Sequence, residues 1–140
     1  MADFKTKYGT IYISSPGPFK KYGNVKTYHQ TQTRDVILQG PALRAFKAAE
    51  ARCATKKHPI LKITGVGYRS YTSQRNYWLS DKARYANPDG SMHVEALAVD
   101  VDQSVGFFRL RQVAKALKAE GFKPGAAFGD KPHWSYFLSG

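Results

Sequence analysis

Cysteine is almost missing from this chain: Cys53 stands alone among 140 residues. One thiol excludes an internal disulfide and any cysteine-built zinc site, and Cys53 reads as a small apolar packing residue on a helix. Acidic residues are scarce too, ten against twenty-two Lys and Arg, which leaves a formal charge of +12. No run approaches the ~20 apolar residues that a membrane-crossing helix needs. The start, Met1-Ala2-Asp3-Phe4-Lys5, offers no apolar core of an export signal.

What is present describes a folded chain. Hydrophobic residues make up 42% and aromatics 14%, too many for a disordered segment. A chain of this length reads as a single domain over 1–140, with residues 1–35 as an N-terminal extension, and buries roughly 68–70% of its unfolded surface. The positive surplus favours encounter with polyanions and says nothing about the fold. No Lys/Arg block, finger spacing or RNA-binding signature accompanies it. The charge therefore does not single out nucleic acid, and a solvated basic surface explains it equally well.

Element signals alternate along the chain. Thr10-Ile11-Tyr12-Ile13 is strand-like and stops at Pro16-Gly17-Pro18. Lys20 to Gln39 is polar and predicts a loop with one short extended piece, in which His29 is a surface histidine. Gly40-Pro41 opens a helix whose apolar stripe is Leu43, Phe46, Ala49 and Cys53, with Arg44, Lys47, Glu50 and Arg52 facing elsewhere. It should end near Lys56-Lys57, and His58-Pro59 breaks it. Ile60 to Gly65 is a strand candidate. Ser70 can cap a helix over Tyr71–Ala86, closed by the turn Asn87-Pro88-Asp89-Gly90. Leu97 to Asp102 alternates as a strand with Ala98 and Asp100 on one side. Phe107–Glu120 is helical, with Phe108, Arg111, Val113, Ala114, Ala116 and Leu117 carrying the pattern and Gly121 as its stop. Pro124 to Ala127 is a loop, and His133 to Leu138 a last strand. The sum is an α+β fold, a small antiparallel sheet with flanking helices.

Two segments carry chemistry. His93 and Asp100 lie in one, Asp130 and His133 in the other. Two histidines and a carboxylate can close on one divalent ion and leave a fourth position open, as catalytic zinc requires. Asp130, three residues before His133, supplies a possible proton acceptor. Seven residues separate His93 from Asp100, an odd spacing that a straight strand would send to opposite faces. A bend between them is required. The alternative to a metal site is that His93 and Asp100 form an ordinary hydrogen-bonded pair and Asp130 a cap or an ion-pair partner.

Gly67-Tyr68-Arg69-Ser70, then Gln74, then S-x-H-x-x-x-x-A-x-D over Ser91–Asp100, then D-x-x-H over Asp130–His133 occur in this order. The set resembles the D-alanyl-D-alanine carboxypeptidase and L-alanyl-D-glutamate endopeptidase family of zinc peptidases, from about Val36 to Phe137. That resemblance implies the fold shared with the hedgehog signalling domain and peptidoglycan stem peptides as substrate. It implies His93, Asp100 and His133 as Zn2+ ligands, Asp130 as the catalytic acid/base and Arg69 as the arginine facing substrate and transition state. Ser91 and Gln74 match substrate-side or supporting positions. The chain departs from the family pattern at Ala96, where glycine is usual. It also carries Asp130 where the vancomycin-resistance type has Glu, which is closer to the phage-type endopeptidases.

The resemblance further implies a mechanism and a setting. Zinc lowers the pKa of bound water toward ~7, Asp130 moves the proton, and Arg69 either stabilises negative charge or grips a substrate carboxylate. A chain made in the cytoplasm without a signal and acting on the wall fits a phage endolysin. Its basic surface would then meet anionic wall polymers. Two other readings stand beside this one: a D-alanyl-D-alanine carboxypeptidase, and a non-catalytic wall-binding, nucleic-acid-binding or virion module of the same fold.

Overall fold

Strand β4 (Asp35–Gln39) is the spine on which the rest is hung. A computed structural model describes the chain at residues 2–6, 9–13, 25–85, 91–125 and 132–137, with side chains from Val25 onward. β4 pairs antiparallel with β3 (Val25–His29), from Val25↔Gln39 to His29↔Asp35. This hairpin replaces most of the loop expected between Lys20 and Gln39. Val36, Ile37 and Leu38 are three consecutive buried residues, and so short an apolar run carries no alternation to announce it. His29 is exposed, as expected, and meets Asp35 across the hairpin. Upstream, β1 (Ala2–Thr6) and β2 (Gly9–Ile13) form a separate antiparallel pair that includes the expected strand at Thr10–Ile13.

Helix α1 (Gly40–Cys53) leaves β4 directly, with Pro41 in its first turn where no N–H is needed. Leu43, Phe46, Ala49 and Cys53 are all buried in one core. The helix stops at Cys53, short of Lys56-Lys57, because a side chain from elsewhere takes its end. Buried Arg109 donates to the carbonyls of Cys53, His58 and Ile60, so the chain peels away from the helix axis there. Glu50, expected to face outward, is buried. Its carboxylate accepts from the Tyr28 hydroxyl, from Gln30 Nε2 at 2.8 Å and from the Leu61 N–H at 3.0 Å. Three donors make burial of that charge tolerable.

The main sheet is antiparallel in the order β5-β6-β8-β7. Its strands are β5 (Ile63–Thr64), β6 (Ala98–Val101), β7 (Phe122–Pro124) and β8 (His133–Tyr136). The strand expected over Ile60–Gly65 shrinks to two residues, while β7 was not foreseen. Helix α3 (Phe107–Ala119) buries Arg109, Val113, Ala116 and Leu117, an i, i+4, i+7, i+8 stripe. Phe108, expected on that stripe, lies one residue out of phase and is 80% exposed. Gly121, at φ +97, is the stop the sequence suggested and turns the chain into β7. The class is therefore α+β, with small antiparallel sheets and three α-helices among the described residues.

Helix α2 (Tyr71–Ser80) is capped by Ser70, whose Oγ accepts from the Ser73 N–H at 3.1 Å. It ends six residues before the expected Ala86. Asp81 stops it: its carboxylate accepts from the Ala83 and Arg84 N–H groups at 3.2 Å and closes a new turn. Of its ten residues only Gln74 is buried.

Candidate metal centre

The bend that His93 and Asp100 require is present. Residues 92–96 form a turn closed by Leu97 N–H to Met92 O at 2.9 Å and Ala96 N–H to His93 O at 3.1 Å. Ala96 sits at φ +56, the one non-glycine residue at positive φ among the described residues. An L-residue there costs about 1–2 kcal/mol, so the surroundings must impose it. β4 does so: Gln39 donates its backbone N–H to Ala96 O at 2.9 Å and its Nε2 to Glu95 O at 2.8 Å.

Asp100 lies in the middle of the sheet, across from Thr64 on β5 and His133 on β8. Its Oδ1 is 3.2 Å from His93 Nε2 and 3.5 Å from His133 Nδ1. One ligand atom from each of His93, Asp100 and His133 lies within 4.8 Å of the other two, and this group can hold a metal ion. The two imidazole rings stand edge to face, 5.0 Å apart. His93 is buried, and the other two are partly so.

Supporting contacts decide which nitrogens point inward. His93 Nδ1 is 2.7 Å from the Gly67 carbonyl, an acceptor only, so Nδ1 carries the proton and Nε2 turns its lone pair toward Asp100. His133 Nε2 is 2.5 Å from Ser135 Oγ, which can accept a proton-bearing Nε2 and leave Nδ1 as the inward atom. Partners of this kind orient metal-binding histidines. Burial works to raise the Asp100 carboxyl pKa. When the imidazoles carry protons toward it, hydrogen bonding and charge from His133 and His93 outweigh burial and hold Asp100 well below the usual carboxylate range.

Arg69 stands beside this group. Its backbone N–H donates to His93 O at 3.0 Å, and one guanidinium nitrogen is 3.8 Å from Asp100 Oδ2. The other terminal nitrogen donates to Gln74 Oε1 at 2.8 Å, and the guanidinium lies over the Tyr77 ring, 4.8 Å from its centroid. Asp100 thus turns one oxygen to the histidines and the other to Arg69. Gln74 is 2% exposed and Ser91 3% exposed, so neither is open to solvent, and Gln74 is linked to the cluster by its hydrogen bond with Arg69. Asp130 lies outside the described residues. Trp134 is buried in the core, and Tyr136 packs on Phe122.

Three contributors were not singled out from the sequence: the Gly67 carbonyl, Ser135 and Tyr77. Two had a signal. Ser135 follows His133 by two, on the same face of a strand, and Tyr77 follows Gln74 by three, on the same face of a helix. Compared with protein-family models, curated proteins and solved structures, the chain matches none.

Proposed function

We propose that this chain is a zinc-dependent peptidase that cuts the stem peptides of bacterial peptidoglycan, as an L-alanyl-D-glutamate endopeptidase of the phage endolysin kind. The observation that carries the reading is the convergence of His93 Nε2, Asp100 Oδ1 and His133 Nδ1, two of them oriented by outer partners. Inward-facing lone pairs and a carboxylate repel one another unless a metal cation, or protons on the imidazoles, lie between them. Donors held about 2.0–2.1 Å from a tetrahedral zinc are about 3.3–3.4 Å apart, and the two His–Asp separations of 3.2 and 3.5 Å straddle that value. Two imidazoles and one carboxylate also match a catalytic zinc site, which takes three such ligands and leaves a fourth position open.

His93, Asp100 and His133 would hold the ion. Bound there, zinc supplies Lewis acidity and a water acidic enough to be a nucleophile near neutral pH. The chain's own groups do the rest. Asp130 enters from the sequence as the group that takes a proton from the nucleophile and returns it to the departing amine. Arg69, clamped by Gln74 and Tyr77, presents positive charge beside the cluster where the scissile carbonyl gathers negative charge. Its fixed guanidinium costs no reorganisation at that moment. The +12 surface would add attraction to anionic wall polymers.

Digestion of purified peptidoglycan by the zinc-loaded protein, followed by product masses, tests this. The expected products carry a new amino terminus on D-Glu. Loss of terminal D-Ala alone would replace the endopeptidase with a D-alanyl-D-alanine carboxypeptidase. A protein that retains no zinc and leaves wall turbidity unchanged would overturn the reading.

A further inference from the structure

Helix α2 and the turn after it extend the Arg69–Tyr77 contact into a strip whose far half, Tyr85 and Arg84, the catalytic reading does not use. Beginning at the metal cluster, the Arg69 guanidinium lies 4.8 Å from the Tyr77 centroid. The Tyr77 and Tyr85 rings are 5.0 Å apart, tilted by 34°. The Arg84 guanidinium follows, 5.4 Å from the Tyr85 centroid. Cation, ring, ring, cation: each step is an attractive contact of the cation–π or aromatic type. Lys82 over the Trp78 ring, at 4.8 Å, adds another such pair on the same segment.

The strip is open to solvent. Tyr77 is 44% exposed and Leu79 52% exposed, and Arg84 is exposed. A helix that buries one residue in ten leaves its aromatic surface for something other than the core. The acidic residue nearest in sequence, Asp81, spends one carboxylate oxygen on the Ala83 and Arg84 N–H groups. Aromatic faces flanked by guanidinium groups favour a ligand with an apolar body and negative ends. The steps put Arg84 no more than about 15 Å from Arg69, the reach of roughly four extended residues.

We propose that Arg69, Tyr77, Tyr85 and Arg84 form an extended subsite for a short acidic peptide. The bond to be cut lies at the cluster, and a carboxylate roughly four residues away pairs with Arg84. The assignment of the near end rests on the peptidase reading above; the binding strip itself does not.

Equilibrium binding of a stem-type pentapeptide as free acid and as C-terminal amide, to chelator-treated protein at low salt, isolates the distal charge. The native protein should prefer the acid about three- to five-fold, the scale of one exposed ion pair. Arg84→Gln should erase the preference, and Tyr77→Leu should weaken both peptides while Tyr77→Phe does not. Arg44→Gln, which removes an exposed cation of α1, should keep it. Equal preference in Arg84→Gln, equal loss in Arg44→Gln, or no preference in the native protein would overturn the strip. An Arg84-dependent preference without hydrolysis on zinc loading would support the strip and count against the peptidase.

Discussion

Asp100 and His133 are directly paired residues on neighbouring antiparallel strands, although thirty-three positions separate them in the chain. Cross-strand partners hold their Cβ atoms about 4.5–5.5 Å apart, so the sheet itself sets this half of the centre. His93 is set differently, by a turn whose backbone hangs from β4. A metal bound by all three would therefore tie turn, central strand and neighbouring strand together.

That tie predicts a stability linkage. Zinc at a hundredfold excess over its Kd should stabilise the fold by about 2.7 kcal/mol, and chelation should remove this. His93→Ala and Asp100→Ala should abolish both bound zinc and the thermal shift. Metal analysis of the purified variants with a melting series checks it. A full zinc-dependent shift in Asp100→Ala would exclude this set of ligands.

Gly67 and Ala96 make a contrasting pair of backbone predictions. A Cβ on Gly67, at φ +93, would come within 3.1 Å of Leu38 and 3.2 Å of two carbonyl oxygens. Gly67→Ala should lose about 2 kcal/mol or more, and should weaken zinc binding because the Gly67 carbonyl orients His93. Ala96→Gly relieves about 1–2 kcal/mol of left-handed strain but removes a buried methyl worth about 0.8 kcal/mol. It should change stability by under about 1 kcal/mol and keep zinc. Urea unfolding of both variants, with metal content, separates the two cases.

Around the cluster, proton transfer and charge stabilisation should separate from metal binding. Asp130→Ala should keep zinc and lose turnover. Arg69→Ala should cost about 10²–10³ in kcat, the scale for one preorganised donor. Gln74→Leu should lower kcat less, with zinc unchanged, because it loosens Arg69 without removing it. Full turnover in Asp130→Ala would remove that residue as the base.

Local chemistry was legible before any fold. The Gly40-Pro41 start, the Ser70 cap, the Gly121 stop and the strand at Ala98–Val101 each depend on a few adjacent residues. So did the need for a bend between His93 and Asp100, since strand parity alone demands it. What escaped was decided at long range. Glu50 looks solvent-facing until Tyr28, Gln30 and Leu61 converge on it. Arg109 looks like a surface cation until the end of α1 offers it carbonyls. The β3–β4 hairpin was hidden because β4 is buried on both faces and shows no alternation.

Tyr28 and Glu50 supply a pH-dependent prediction away from the centre. Burial first, then the hydrogen bond and charge of Glu50, push the Tyr28 hydroxyl up to about 12. The native state therefore holds this proton more tightly than the unfolded chain, whose tyrosines titrate near 10. The stabilisation is complete below pH 10 and disappears as pH rises through 12. Tyr28→Phe should destabilise at neutral pH by about 1–3 kcal/mol, because a buried carboxylate loses a donor. Its deficit relative to the native protein should shrink between pH 10 and 12, as Tyr28 ionises in the unfolded chain while the native hydroxyl still holds its proton. Urea midpoints for the pair across that range measure the difference; a deficit that stays constant would mean the hydroxyl is not coupled to Glu50.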